Sequence, residues 1–330
     1  MSLEAAEGLM EDNVIYVTTQ GSKISVSKGR IVVKKDGEKI AGYPLNQIDT
    51  VNLFGGVNFT TPFVTKASEK GITLNYFSWN GKYKGSFVPV KNTIAAVREK
   101  QYGLSDEEKL SISKDIVKGK IRNSITFLRR KDVTDIGKLK KILKRCEECV
   151  DEETLRGLEG EAAEYYFRRL DKTLIDGWSF EKRTKRPPED HINSLMSLTY
   201  VMMKNETTSA LRQYNLDPFL GVMHKNRHGR PALALDLLEE LRPIYCDAFA
   251  TRLVNRQTIT HDDFKKNNRL KDNSFNTYLD KFEDYMQEEF EHPSFGYEVS
   301  RRKSIRMQSI ILRKTITGEY DSYHPLVFER

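Results

Sequence analysis

A chain of 330 residues carries 31% charged residues and a formal net charge of +7, a length that allows two domains and a large core. The basic excess favours polyanionic partners, and no apolar run approaches the ~20 residues that a membrane-spanning helix needs. The N-terminus lacks the basic and apolar regions of a signal peptide, so we expect a cytoplasmic protein that spans no membrane.

Residues 13–88 are predicted to form a small β-sandwich-like domain after an N-terminal extension over residues 1–12. Short β-branched segments alternate there with glycine-containing turns, which is the pattern of a small sandwich or barrel. Asp36-Gly37 is a strong hairpin signal, and a short helix is expected over residues 62–70. The segment contains no histidine and no cluster of carboxylates, so we expect it to serve assembly rather than catalysis.

Helical periodicity replaces the strand pattern from residue 94, which makes residues 89–93 a linker and residues 94–330 an all-α domain. Ser105 and Glu108 form a capping box that predicts a helix start at Ser105. Further helices are predicted near residues 136–149, 243–256, 260–268, 273–290 and 298–314.

Basic residues and two cysteines stand out in the first helices of this domain. Eleven lysines and arginines against two aspartates lie between residues 118 and 145, and a solvated face or a DNA-tracking surface would explain that excess. Cys146 and Cys149 have the spacing of half a zinc site, but no second Cys or His pair stands nearby, so we expect no zinc there.

Glu159 lies at the border of the apolar stripe of a helix predicted over residues 152–167. Gly157 and Gly160 flank it, and each costs a helix about 1 kcal/mol relative to alanine. Small residues on both sides of one carboxylate suggest that something approaches the backbone closely. A helix–helix contact is the plain alternative for either glycine.

A basic loop follows, and its cations are Lys182, Arg183, Lys185 and Arg186. It is interpreted either as a phosphate-contact loop or as an ordinary surface loop, since both fit a proline-terminated basic segment. The next helix begins near residue 188 or 189 and carries His191, which we expect to be structural, and Asn193.

Residues 216–243 contain the most unusual helix of the chain. A turn leads to His224, then to a loop whose cations are well placed to hold phosphates, and Pro231 opens a helix that carries Asp236 and Glu239. Leucines and alanines surround Asp236, so the helix should be buried and the carboxylate needs a partner. An arginine such as Arg230 or Arg242 would serve, and so would a divalent metal shared with His224. The loop cations are Lys225, Arg227, His228 and Arg230.

Three motifs of this chain together resemble one protein family. Leu-Arg-Gly-Leu-Glu-Gly-Glu-Ala-Ala, Gly-Val-Met-His and Leu-Asp-Leu-Leu-Glu-Glu-Leu-Arg-Pro, in that order and spacing, are similar to those of the CRISPR-associated adaptation integrase, a metal-dependent DNA endonuclease. The resemblance implies that Glu159, His224 and Asp236 are catalytic and bind one Mn²⁺ or Mg²⁺, with Glu239 as a nearby second carboxylate. It also implies that Asn193 supports the site from behind its ligands.

The resemblance further implies that the protein inserts short foreign DNA fragments into a CRISPR array. Water would be the nucleophile in phosphodiester hydrolysis, and the 3′-hydroxyl of a DNA end would be the nucleophile in integration. The implied partners are DNA, a second copy of the chain joined through the β domain, and the small second adaptation protein. The expected DNA contacts are Lys225, Arg227, His228, Arg230, Arg183, Lys185 and Arg186.

Two other functions fit the same residues. The chain would be a non-catalytic nucleic-acid-binding scaffold if its acidic residues form a buried ion-pair network. It would be a hydrolase of small phosphoesters if the same metal site does not act on DNA. The fold prediction is common to all three: an α+β chain with a small β-sandwich-like domain followed by an all-α domain.

Overall fold

A computed structural model describes residues 13–79, 83–89, 95–185 and 187–328. The chain divides into two compact units, Met1–Ile94 and Ala95–Arg330. The predicted extension over residues 1–12 lies outside the described residues, as do residues 90–93 of the predicted linker and Arg186.

The described part of the first unit is built from short strands and one helix. The strands are β1 (Asn13–Val17), β2 (Lys23–Ser27), β3 (Arg30–Lys35), β4 (Glu38–Pro44), β5 (Ile48–Phe54), β6 (Asn58–Phe59), β7 (Thr73–Phe77) and β8 (Tyr83–Phe87), and the helix is α1 (Thr61–Lys70). They form two four-stranded sheets, with strand orders β1-β5-β7-β8 and β4-β3-β2-β6. Their apolar faces share one core that includes Ile24, Val51 and Phe63, so the sheets enclose a single hydrophobic interior.

Local sequence signals explain the turns and helix ends of this unit. Asp36 and Gly37 join β3 to β4, and their φ angles of 51° and 87° are those of a tight hairpin turn, which confirms the predicted hairpin. Thr60 caps α1 by accepting a hydrogen bond from the Phe63 amide, and Gly71 ends the helix with φ of 77°.

The second unit is helical throughout most of its described residues. Its helices are α2 (Ala95–Tyr102), α3 (Asp106–Arg129), α4 (Gly137–Glu148), α5 (Glu152–Leu170), α6 (His191–Gln213), α7 (Ala232–Leu241), α8 (Ala248–Asn255), α9 (Asp272–Gln287) and α10 (Arg301–Ile316). Two short strands, β9 (Glu289–Glu291) and β10 (Glu298–Ser300), form an antiparallel ribbon between α9 and α10. A β-rich N-terminal region followed by a helical region confirms the predicted fold class, with this ribbon as an addition. Among the described residues, no helix is both long and apolar enough to cross a bilayer.

Capping side chains set the starts of the helices that carry the site. Ser105 and Glu108 form both bonds of the predicted capping box at α3. Asp151 accepts a hydrogen bond from the Thr154 amide at the start of α5, and Asp190 does the same for the Asn193 amide at the start of α6.

Two predicted helices differ from those in the structure. Residues 260–268 form a short 3₁₀ turn over His261–Asp263, and an isolated bridge pairs Phe264 with Leu270. The Asp263 carboxylate accepts hydrogen bonds from Thr260 and Ser274, so it caps a turn instead of starting a helix. The predicted helix over 243–256 begins as a π-helical turn, Arg242–Asp247, that joins α7 to α8. Pro243 has no N–H to donate to the preceding turn, which explains the local widening.

Candidate metal centre

The Asp236 carboxylate is fully buried on α7, and the turn that leads to His224 wraps around it. Its Oδ2 accepts hydrogen bonds from the amides of Val222 at 2.7 Å and Met223 at 3.1 Å. Its Oδ1 accepts one from the His224 amide at 2.9 Å and lies 2.5 Å from His224 Nδ1. Backbone amides and an imidazole therefore pair with Asp236, and neither of the arginines considered above does.

Gly221 allows this close wrapping. A Cβ atom at this position would lie 2.7 Å from the His224 carbonyl oxygen and 2.9 Å from Asp236 Oδ2, distances that no side chain could tolerate without a backbone shift. Gly221 is thus the sequence signal for the contact between the turn and α7.

The hydrogen bond to Asp236 fixes the orientation of the His224 ring. When the Nδ1–H group donates a hydrogen bond to Asp236, Nε2 carries no proton and its lone pair is free to bind a metal. This is the usual arrangement of a histidine ligand that a carboxylate supports. Nε2 faces Glu239, and 3.6 Å separate it from Glu239 Oε1. Asp236 therefore positions the imidazole whose other nitrogen faces the second carboxylate of α7.

Glu159 and Glu239 converge on a single cationic group. The Lys120 ammonium, which α3 supplies, pairs with Glu159 and lies 2.7 Å from Glu239 Oε2. Arg242 Nη1 lies 2.7 Å from Glu239 Oε1. Burial raises the pKa of Glu239, but the positive charges of Arg242 and Lys120 outweigh it and lower the pKa to about 2. Glu239 is therefore a carboxylate at neutral pH although it is only 2% exposed.

These groups line a cavity of about 240 Å³ whose other wall is aromatic. The buried Asp247 carboxylate in that wall accepts hydrogen bonds from Tyr166 at 2.9 Å and Tyr200 at 2.6 Å. Burial raises the pKa of Asp247 to about 6, against the opposing effect of these two bonds. Arg183 and Arg242 lie 5.0 and 5.1 Å from the centre of the Tyr200 ring. The Tyr200 ring thus packs against two guanidinium groups near the carboxylates that line the cavity.

The donor set suits a hard divalent cation. Two carboxylates and one imidazole nitrogen match the preferences of Mn²⁺ and Mg²⁺. Glu239 Oε2 is buried and accepts no hydrogen bond of good geometry, even though Lys120 lies close to it. Within the described residues, no three His, Cys, Asp or Glu side chains are already arranged around a common point, and the Lys120 ammonium lies between Glu159 and Glu239. The residues fit a metal that would take the place of that ammonium.

Within the described part of the chain, no helix packs against the glycines beside Glu159. A Cβ atom at Gly157 or Gly160 would meet no described atom within 4 Å, and both positions are exposed on α5. The alternative explanation, that another helix of the described chain approaches there, is therefore wrong. The two glycines leave the backbone on either side of Glu159 open to solvent.

The loop between His224 and α7 is a compact basic turn. Arg227 and Arg230 form an isolated bridge, and Gly229 with φ of 68° completes the turn. Lys225, Arg227 and His228 are exposed and Arg230 is half-buried. None of the four forms an ion pair with a carboxylate of the described residues, so their charges are available to an anionic ligand.

The other basic loop is attached to α6 through one of its arginines. Arg183 donates hydrogen bonds to Asn193 Oδ1 at 2.7 Å and Ser197 Oγ at 3.0 Å, and the buried Asn193 also binds the Thr184 amide. Asn193 therefore fastens the loop to α6, and Arg183, which it binds, packs against the Tyr200 ring of the cavity wall. Its support of the metal ligands stays a prediction. Lys185 is exposed and lines the cavity. Desolvation at the cavity lowers the pKa of Lys185 although its side chain as a whole is exposed, and the nearby Arg242 and Arg183 lower it further.

Sequence reasoning missed Lys120, Tyr200 and Asp247, because nothing in their local sequence marks them. Lys120 is one of eleven basic residues between positions 118 and 145, and only the packing of α3 against α5 and α7 brings it to the carboxylates.

Comparison with known proteins gives consistent results over almost the whole chain. The family model described as CRISPR associated protein Cas1 matches residues 15–284. A CRISPR-associated endonuclease Cas1 of Methanospirillum hungatei is 51% identical over 325 residues, which cover 98% of this chain and 94% of that protein. A second such endonuclease, from Thermus thermophilus, is 34% identical and covers 97% of this chain and 98% of its own length.

Solved structures show the same fold. A Cas1 protein from Thermotoga maritima matches with a TM-score of 0.81 at 26% identity, covering 93% of this chain and 97% of that one. A casposase bound to its integration product matches with a TM-score of 0.81 at 19% identity, covering 97% and 94% of the two chains. At that identity the second match is evidence for the fold alone.

Proposed function

This chain belongs to the Cas1 family of CRISPR-associated proteins, and from that premise we propose that it is a DNA endonuclease and integrase that inserts short foreign DNA fragments into a CRISPR array. Relatives at 51% and 34% identity carry the name endonuclease. The finer parts of the proposal are dependence on Mn²⁺ or Mg²⁺, the residues that hold the ion, action as a homodimer, and assembly with the small second adaptation protein. DNA is the proposed substrate.

One observation carries the proposed metal centre: Glu159, Glu239 and the free Nε2 of His224, from three separate segments, face one small cavity. We assign these three groups as the metal ligands. Asp236 was expected to be a ligand from the motif, but its oxygens already accept three amide hydrogen bonds and bind His224 Nδ1. We therefore assign Asp236 the role of positioning His224. A divalent ion bound there would polarise the scissile phosphodiester and favour a deprotonated oxygen nucleophile.

The residues around the cavity have roles that follow from their charges. Arg242, fixed by Glu239 and by the Tyr200 ring, presents a guanidinium to a phosphate oxygen. Lys225, Arg227 and His228 are exposed on the turn that follows the metal-binding histidine, where they can hold the DNA backbone without reading sequence. In hydrolysis or integration, a new P–O bond forms to water or to a 3′-hydroxyl while the bond to the leaving 3′-oxygen breaks, and that oxygen takes up a proton.

Cleavage and strand transfer on a branched duplex, measured with and without Mn²⁺, test this proposal. Glu159→Gln and Glu239→Gln should each abolish both reactions, while DNA binding measured without metal stays nearly intact. Glu164→Gln is the matched control, because Glu164 lies on the same helix but is exposed, and its one ion pair among the described residues is with Arg168. The control should cleave as the unmodified protein does.

A non-catalytic scaffold would give a different result. The carboxylates would then serve only to neutralise Lys120 and Arg242, so no DNA strand would be cut at any metal concentration and the two substitutions would mainly reduce stability. Hydrolysis of a small phosphodiester without any action on DNA would instead indicate the small-phosphoester hydrolase.

A further inference from the structure

The Lys120 ammonium lies between the two carboxylates that we propose as metal ligands. It pairs with Glu159 and with Glu239, and its side chain is only 11% exposed. Lys120, Ile121 and Ser124 of α3 line the cavity together, so the lysine belongs to the wall of the site and not to the outer basic surface. By contrast, its neighbour Lys118 pairs with Asp115 on the same helix at 2.8 Å and does not line the cavity.

The charges of the site explain why a cation is needed there. Glu159 and Glu239 both pair with the Lys120 ammonium, and Arg242 pairs with Glu239 alone. Without Lys120, two carboxylates would share a confined space with weaker neutralisation, which is costly.

We infer that the Lys120 ammonium changes its ion-pair partners when a divalent ion binds. In the metal-free protein it pairs with Glu159 and Glu239 and holds them together, and after metal binding it moves to pair with a DNA phosphate. This inference rests on the metal centre proposed above and adds a residue that the motifs do not include. A lysine suits the role because its compact charge lies at the end of a flexible four-carbon chain, so the group can move while α3 stays in place.

The inference makes metal binding and DNA binding cooperative. A metal that enters alone must displace the ammonium from both carboxylates, so Lys120 loses both of its ion pairs. When a DNA phosphate is present, the displaced ammonium has a new partner, so each ligand should increase the affinity for the other. The cavity also contains Lys185 and Arg242, but neither of them bridges the two carboxylates.

Direct measurement of Mn²⁺ affinity, by calorimetry or by the electron paramagnetic resonance signal of free Mn²⁺, tests the inference without relying on activity. The full chain is titrated alone and with a duplex whose 3′ ends are dideoxy-terminated. For the unmodified protein, we expect DNA to tighten Mn²⁺ binding by about tenfold. Lys120→Met should bind Mn²⁺ about tenfold more tightly without DNA, and DNA should add little more.

Three companion variants make the result decisive. Lys118→Met should behave as the unmodified protein, because its charge lies outside the cavity. Lys120→Arg keeps the charge and should retain weak DNA-free binding. Lys120→Gln takes the place of the Met variant if that variant does not fold, and its metal-free melting temperature should fall and recover with Mn²⁺.

The failures of the two proposals are distinguishable. If the unmodified protein binds Mn²⁺ and Glu239→Gln weakens that binding, while Lys120→Met and Lys120→Gln bind as the unmodified protein does, the metal centre stands and the role of Lys120 is refuted. If the unmodified protein binds no Mn²⁺ with or without DNA, the metal centre itself is refuted, and the inference with it.

Discussion

At the scale of single residues, α7 carries two carboxylates three positions apart whose surroundings differ. Asp236 accepts hydrogen bonds from backbone amides. Glu239 instead pairs with cations, and one of its oxygens has no well-formed hydrogen bond. The leucines around Asp236 predicted from the sequence that this carboxylate is buried, but they could not predict which groups pair with it. Those partners are amides of a turn twelve or more residues earlier in the chain, and helical periodicity contains no information about them.

This difference leads to a prediction for the two positions. Asp236→Asn places an amide nitrogen among N–H donors, so the metal-free protein should lose about 2 kcal/mol of stability. Its Mn²⁺ affinity should fall by about 10- to 100-fold, the usual effect of losing the group that orients a ligand. Glu239→Gln should abolish the rise in melting temperature that Mn²⁺ causes. Thermal denaturation with and without Mn²⁺ measures both effects, and a normal Mn²⁺ response in Glu239→Gln would contradict the assignment.

Glu240, the next residue on α7, provides a prediction about pH. Burial raises the pKa of its carboxyl to about 8, although the Leu326 amide, Tyr323 and Gln308 donate hydrogen bonds that favour the ionised form. Between the ordinary pKa of 4.5 and about 8, the folded protein keeps a proton that the unfolded chain releases. This group therefore lowers stability as pH rises through that window, and its effect levels off above about pH 8.

Glu240→Gln should remove this dependence. Relative to the unmodified protein, the variant should gain stability between pH 5 and pH 8 by on the order of 3 kcal/mol, since each pKa unit corresponds to about 1.4 kcal/mol. Urea denaturation at the two pH values measures the change, and every other titrating group cancels in the comparison. Parallel pH profiles for the two proteins would show that Glu240 is ionised in the folded state.

At the scale of elements, α5 combines the carboxylate Glu159 with two exposed glycines that the described structure does not require. Two residues that disfavour a helix lie beside a proposed metal ligand, and without side chains they leave room for a large ligand to approach the helix surface. The DNA backbone is that ligand in the proposed function, and a methyl group at either position would stand in its way.

The double variant Gly157→Ala/Gly160→Ala tests this interpretation. It should stabilise the protein by about 1 kcal/mol per site, because alanine is the better helix former. It should nevertheless weaken DNA binding and cleavage several-fold and leave Mn²⁺ affinity unchanged. Gly137→Ala on α4 is the control, since a Cβ atom there also meets nothing within 4 Å but lies away from the cavity. A double variant that is more stable and cleaves DNA normally would show that no ligand comes close to α5.

Elements defined by local signals were predictable, and those defined by distant contacts were not. The hairpin at Asp36-Gly37 and the capping box at Ser105 depend on a few neighbouring residues, and both are present. The helix predicted over 260–268 fails because the capping group Asp263 binds Ser274 and closes a turn. The candidate site is intermediate. The motifs predicted Glu159, His224 and Asp236 as metal ligands with Glu239 as a nearby second carboxylate, whereas Lys120 reaches Glu159 and Glu239 only through tertiary packing.

At the scale of the whole molecule, the proposed homodimer needs an apolar surface on the β unit. Among the described residues, eight large apolar side chains are exposed, and five of them belong to this smaller unit: Ile40, Phe59, Tyr76, Trp79 and Phe87. Phe87 lies on the edge strand β8 and lines a shallow groove of about 560 Å³ together with Val64 of α1. An edge strand beside an apolar groove is a surface that a second chain can cover.

We therefore expect Phe87→Asp to convert a dimer into a monomer. Burying the unpaired aspartate charge in the interface would cost more free energy than the remaining contacts of the interface provide. Light scattering coupled to size-exclusion chromatography measures the molar mass directly. Val150→Asp is the matched control, because Val150 is 84% exposed in the helical unit and should leave the mass unchanged. The melting temperature of Phe87→Asp should remain close to that of Val150→Asp, which would separate dissociation from unfolding. A dimer that survives Phe87→Asp, or an unmodified protein that is monomeric at all concentrations, would place the interface elsewhere or remove it.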